Sequence, residues 1–212
     1  MYKLFKNTKL KFIITISILT ILYIFISAHA YASTMSKNIS DNVFRLHVIA
    51  NSDTDFDQDL KLKVRDNLLY YMKSICNKCQ SKQEAQKIII DNKEAFKKIA
   101  LDTIYSNGYN YNIKINIGNF DFPTKNYGDI SLPSGKYDAL RVEIGNAQGK
   151  NWWCVMFPPL CFVDITSGIV DDSSKELLQN NLSTDEFNLI SDNNTDIKLK
   201  FKIVELFNKY NN

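Results

Sequence analysis

His47 is followed closely by Asn51, Ser52 and Asp53, which brings an imidazole, a hydroxyl and a carboxylate into one short stretch. Those are the groups of a hydrolytic base, nucleophile and orienting acid. No G-x-S-x-G elbow is present to expose a serine. The other histidine, His29, falls in the N-terminal leader, so the body cannot build a site on two histidines. Arg45 and His47 share one face of a short apolar segment, and a structural polar network is the simpler reading. Cys76-Asn77-Lys78-Cys79 has the C-x-x-C spacing of a redox pair or of half a zinc site. A redox thiolate belongs at a helix N-terminus, whereas this motif follows a helical pattern. Cys154 with Cys161 makes a poor second zinc hook. Asp129 and Glu143 could form a glycosidase pair. Asp53, Asp55 and Asp57 resemble the start of a calcium loop that lacks its glycine and distal glutamate. Solvation, and charge compensation at a helix N-terminus, account for these acids. The residues therefore predict no catalytic group, no cofactor and no metal.

These groups sit in a chain of 212 residues, 45% hydrophobic and 23% charged, the composition of a folded protein. Lys3, Lys6, Lys9 and Lys11 account for the net charge of +3, since without them 22 basic residues face 23 acidic ones. Such a body lacks the basic footprint of a nucleic-acid partner. Phe12 to Ser27 are sixteen positions without a charge, and Ala28-His29-Ala30 and Ala30-Tyr31-Ala32 both fit an A-x-A cleavage pattern. Lysine cluster, apolar run and small-residue site follow the order of a secretory signal peptide. An uncleaved membrane tether through residues 12–27 is the alternative, and either way the body is delivered outside the membrane. The expected organisation is 1–30 as signal peptide or anchor, 31–41 as an aperiodic polar linker and 42–212 as a single domain.

Val43 to Ile49 reads as a strand, and residues 50–55 as a turn with Ser52 or Asp53 as helix N-cap. Leu60, Val64, Leu68 and Met72 mark the buried face of a helix from about Phe56 to Ile75. A second helix is expected from Lys82 to Ser106, stopped by Asn107-Gly108. Strict alternation from Tyr109 to Ile117 predicts a strand, turned at Gly118-Asn119 before a short strand at Phe120–Phe122. Tyr137–Ile144, Trp152–Phe157 and Leu160–Val163 read as further strands, with a hairpin-type connection at Gly145–Gly149 and a reversal at Pro158-Pro159. A short helix near Ser173–Gln179 and a strand at Ile197–Ile203 complete the reading, before Glu205–Tyr210. Strands running on after two helices predict an α+β fold: a mostly antiparallel sheet with two helices packed on one face and its other face wet.

Outside the membrane, four cysteines point to disulfides in one of three pairings. If Trp152 to Val163 is a hairpin centred at Phe157–Pro158, Cys154 and Cys161 stand opposite each other within bridging range. Cys76 is then left to Cys79. Trp152, Trp153, Phe157, Leu160 and Phe162 crowd the same segment. One face of such a hairpin can be buried, and the other is either further core or a recognition patch. On residues alone, an exported envelope hydrolase using His47 and a cell-wall binding module using Trp152 and Trp153 stay open.

Two stretches carry more information. Phe44 to Leu69 (FRLHVIANSDTDFDQDLKLKVRDNLL) and Phe122 to Asp164, which contains YGDISLPSGKYDALRVEIGNAQGKNWWCVMFPPLCFVD, resemble the stage II sporulation protein R family of endospore-forming Firmicutes. Cys76 and Cys79 lie outside both stretches. The resemblance implies a signalling protein and not an enzyme. Such a protein is made in the forespore and exported into the space between forespore and mother cell. There it triggers a membrane-embedded aspartic protease of the mother-cell membrane, which processes the precursor of sigma factor E. The motif positions expected to serve activation are Arg45, His47, Asn51, Asp53, Trp152, Trp153, Pro158 and Pro159.

Overall fold

The computed structural model describes residues 8–161 and 170–191; Phe162–Val163, the expected strand at Ile197–Ile203 and the segment Glu205–Tyr210 lie outside them. In chain order the elements are α1 (Thr8–Asp41), β1 (Phe44–Ile49), α2 (Asp55–Ile75), α3 (Lys82–Asp91), α4 (Lys93–Ser106), β2 (Ile113–Phe122), β3 (Lys125–Tyr127), β4 (Ile130–Leu132), β5 (Gly135–Ile144), β6 (Asn151–Phe157), α5 (Asp172–Asn181) and α6 (Thr184–Ser191). Four strands form one sheet in the order β2-β5-β1-β6, and β3 with β4 makes a separate small ribbon. β1 is parallel to β5 and antiparallel to β6, while β2 and β5 are antiparallel. The fold is therefore α+β with a mostly antiparallel sheet. β1 lies between two strands and is buried along its whole length, which is why it reads as a continuous apolar run broken only by Arg45 and His47.

Alternation along β1 divides the molecule into two layers. Phe44, Leu46 and Val48 join Leu140 and Val142 of β5 on one face, against Leu60, Val64 and Leu68 of α2 and Phe96, Ala100 and Ile104 of α4. Arg45 and His47 point to the other face. The alternation in β2 predicts that face to be wet, but it is largely covered. Ile39 of α1, Tyr127, Ile130 and Leu132 of the small ribbon, Leu178 of α5 and Ile190 of α6 form a second core there with Phe122, Tyr137 and Val155.

Several local departures have identifiable causes. Residues 31–41 continue α1 as helix instead of forming an irregular linker. Met35 and Ile39, one turn apart among polar residues, are its buried contacts. Lys82 Nζ clamps this end of α1 by donating to Ser40 O at 2.9 Å while pairing with Asp138 at 2.8 Å. The expected single helix over 82–106 breaks at Asn92, which ends α3 and starts α4. Its amide donates to Ile88 O at 2.9 Å and accepts from the Tyr71 hydroxyl at 3.1 Å, the local competition that keeps asparagine out of helix interiors. Thr54, not Ser52 or Asp53, caps α2, because those two side chains are engaged elsewhere. β2 starts four residues later than expected and runs straight through Gly118-Asn119, held in register by the ten-residue β5.

Cys76 pairs with Cys79 and Cys154 with Cys161, at Cα separations of 5.1 and 5.8 Å. The second pair closes a tight turn after β6, since Leu160 and Cys161 are not strand.

Candidate interaction site

β5 and β6 both flank β1, so the Gly145–Gly149 connection is not a hairpin but a bridge across the end of β1. Asn51 and Asp53 hold that bridge. Asn51 Oδ1 accepts from Asn146 N at 2.9 Å, and Asp53 Oδ1 accepts from Lys150 N at 2.6 Å. Asn51 also donates through Nδ2 to Asp57 at 2.8 Å, and Ser52 donates to the same carboxylate. Burial pushes the Asp57 carboxyl upward, but hydrogen bonds from Ser52, Asn51, Tyr111 and Thr54 outweigh it and hold the group below the usual range. Gly145 adopts φ +56°, a left-handed conformation that admits glycine without strain. The two motif residues thus fix where β6 begins.

Next along the sheet, His47 is paired with Trp153 of β6. The rings stack at 3.8 Å with a 19° interplanar angle, and Nε2 lies 2.8 Å from Asn151 Oδ1. Only 5% of His47 is exposed, and its Nδ1 has no hydrogen-bond partner among the described residues. Burial lowers its pKa to about 4; the Asn151 hydrogen bond opposes this, and Arg141 adds to the lowering. Among the described residues no serine or carboxylate is hydrogen-bonded to it, so their geometry does not assemble the hydrolytic trio that the sequence spacing suggests. The depressed value has a consequence for stability. The unfolded chain binds this proton with the ordinary histidine pKa of about 6.5, so neutral His47 contributes fully above that pH. The contribution is lost as pH falls toward about 4. Urea denaturation between pH 5 and 6.5 should show stability rising with pH, and His47→Gln should flatten that slope; an unchanged slope would contradict the assignment.

Arg45 lies deeper and is fully buried. It donates through Nη2 to the Tyr127 hydroxyl and through Nε to Cys154 O at 3.4 Å. Tyr127 in turn donates to Trp153 O at 3.2 Å, so Arg45 reaches β6 through the small ribbon. Trp153 also meets Phe122 edge-on at 4.9 Å.

Trp152 and Trp153 point to opposite faces of the sheet. Trp152 is 36% exposed and stacks under the Arg65 guanidinium of α2 at 4.2 Å. The two indoles therefore cannot lie side by side under one sugar ring. Pro158 is buried at the end of β6, and Pro159 is half-buried where it lines a cleft of about 460 Å³ with Met72, Cys76, Phe157 and Leu177. The structure thus joins His47 to Trp153, sets Asn51 and Asp53 at the start of β6 and the prolines at its end, and leaves Arg45 beneath. Sequence reasoning did not single out Asn151, Tyr127 and Arg65. All three stand inside the resembling segments, but their roles depend on contacts between distant elements.

β6 is an edge of the sheet among the described residues, and it carries exposed Asn151 and Trp152 and half-buried Trp153. Ahead of this body runs one helix long and apolar enough to cross a membrane. Together these features describe an α+β body behind an apolar N-terminal helix consistent with an export signal. The chain belongs to the stage II sporulation protein R family, whose sequence profile matches residues 40–167. It is 40% identical over 130 residues to stage II sporulation protein R of Bacillus subtilis (strain 168), a match covering 61% of this chain and 58% of that relative's length. No solved structure matches it.

Proposed function

We propose that this chain is an exported intercompartmental signal, with residues 42–212 as its single signalling domain and 1–30 as its export leader or anchor. It leaves the forespore and activates a membrane-embedded aspartic protease of the mother-cell membrane, which then processes the sigma factor E precursor. The observation that carries this reading is the family match over residues 40–167, which spans every strand of the sheet. The export-type leader supports it.

Activation works by binding. A partner's equilibrium shifts only by the difference in affinity for its two states. The contact surface is the β6 edge, where Asn151, Trp152, Trp153 and Pro159 reach solvent. Arg45, His47, Asn51, Asp53 and Pro158 hold that edge in place from inside.

Co-expression in a non-sporulating host tests both levels. The chain, the candidate protease and the sigma precursor are expressed together, and precursor conversion is read by its mobility. Conversion is expected only when the chain is present. Trp152→Ala, at a partly exposed position, should leave the protein folded and lower conversion about tenfold or more, as for an interface anchor. Lack of conversion with all three components overturns the function; wild-type conversion by the folded variant overturns the Trp152 contact.

A further inference from the structure

α1 crosses the boundary between leader and body without a break, and a groove opens at that boundary. His29, Ser33, Ser36, Lys37 and Ser40 line it from α1, Ser134 from the turn between β4 and β5, and Lys136 from the start of β5. It measures about 210 Å³, and no carboxylate is among its lining residues. Gly135 lies beside Ser36 in this groove, and a β-carbon there would make an ordinary 3.5 Å contact with Ser36 Oγ. The hydroxyls of Ser33 and Ser36 have no hydrogen-bond partner among the described residues. Lys37 pairs with Asp41 and Lys136 with Asp121 outside the groove, but both pairs are exposed and exchange readily for a stronger anion.

The height of the groove on α1 indicates its ligand. Lys11 and Lys37 bracket twenty-five residues without Asp, Glu, Lys or Arg. A hydrocarbon core of about 30 Å takes about 20 helical residues at roughly 1.5 Å each. Counted from Lys11, that length ends at Tyr31, an aromatic of the kind that settles at the interface. Ser33, Ser36 and Lys37 follow within about 10 Å, at the depth of the lipid phosphates.

We propose that this groove seats the headgroup of an anionic phospholipid, with the serine hydroxyls and the two lysines on the phosphate. The proposal rests on the reading that the apolar half of α1 enters the bilayer. Bound there, the lipid fixes the orientation of the body on the membrane, because the same end of α1 is clamped to the fold by Ile39 and Lys82.

The test uses the full chain. Flotation with phosphatidylcholine vesicles reports insertion. Native mass spectrometry from detergent micelles then compares retained phosphatidylglycerol with phosphatidylcholine. Wild-type protein should float and retain phosphatidylglycerol about tenfold better, and the exposed double variant Lys37→Glu, Lys136→Glu should float equally but lose the preference. Failure to float removes the insertion reading and the proposal with it. Flotation without a lipid preference, or with one the double variant leaves intact, overturns the headgroup site alone. Displacement of the lipid by equimolar glycerol phosphate overturns the lipid assignment in favour of a small phosphate ester.

Discussion

Gly149→Ala should destabilise this protein by about 3 kcal/mol and lower its melting temperature by roughly 6–12 °C. Gly149 sits in the bridge that crosses the end of β1, and its amide donates to Ala50 O at 2.9 Å. A β-carbon there would fall 2.2 Å from the carbonyl oxygen of Ser52, 2.6 Å from its carbon and 2.8 Å from the Ala50 β-carbon. Two of those atoms are backbone, so no rotamer change relieves the clash. The bridge must lift, and it loses the Gly149 bond together with the contacts of Gln148 N to Asn51 O and Lys150 N to Asp53. Each such bond is worth about 1 kcal/mol net, which sets the size of the effect. Gly118→Ala is the internal control. Its nearest contact is the Phe120 ring at 3.7 Å, an ordinary distance, so it should cost less than about 1 kcal/mol. Equilibrium urea unfolding of the two variants decides the matter. A Gly149→Ala protein as stable as wild type would show that the bridge does not pack as described.

The same bridge shows what could be read from the residues and what could not. Helix α2 and strand β5 were legible because their apolar spacing is a local property, satisfied against any apolar neighbour. Gly145 to Gly149 was legible as a turn, since glycine and asparagine there have local reasons. Its meaning was not. A hairpin and a bridge over a third strand share the same turn chemistry, and only the placement of β1 between β5 and β6 separates them. The roles of Asn51 and Asp53 were hidden for the same reason, because their partners lie at Asn146 and Lys150, almost a hundred positions away. His47 was visible as a lone imidazole on an apolar strand, but the stacking on Trp153 that buries it depends on the β1–β6 register. Residues 31–41 failed differently. One apolar pair, Met35 and Ile39, is too little periodicity to announce a helix, yet it suffices once α1 delivers it to the second core.

Arg45→Met and Arg45→Ala should separate sharply, by about 3 kcal/mol, with the methionine variant within roughly 1 kcal/mol of wild type. Arg45 is fully buried, and no carboxylate among the described residues pairs with it. Its charge is held by rings. The guanidinium carbon lies 4.1 Å from the Phe122 centroid, 4.7 Å from Tyr137 and 5.8 Å from Tyr127. Nη1 has no hydrogen-bond partner among the described residues. Three cation–π contacts of about 2 kcal/mol each do no more than balance the several kcal/mol that a buried cation costs, so the charge adds little net stability. Methionine fills much of the same volume and removes both the charge and the orphan donor. The bonds forfeited are the Nη2 donation to the Tyr127 hydroxyl and the long bond to Cys154 O, and Tyr127 keeps a partner in Trp153 O. Alanine removes the same charge but leaves a hole among three aromatic rings, and cavity costs at such sites run to about 3–5 kcal/mol. Urea unfolding of both variants at neutral pH measures the gap directly. Should methionine prove as costly as alanine, the guanidinium makes a net stabilising interaction beyond the aromatic cage, and the account of Arg45 as a buried cation that only breaks even is wrong.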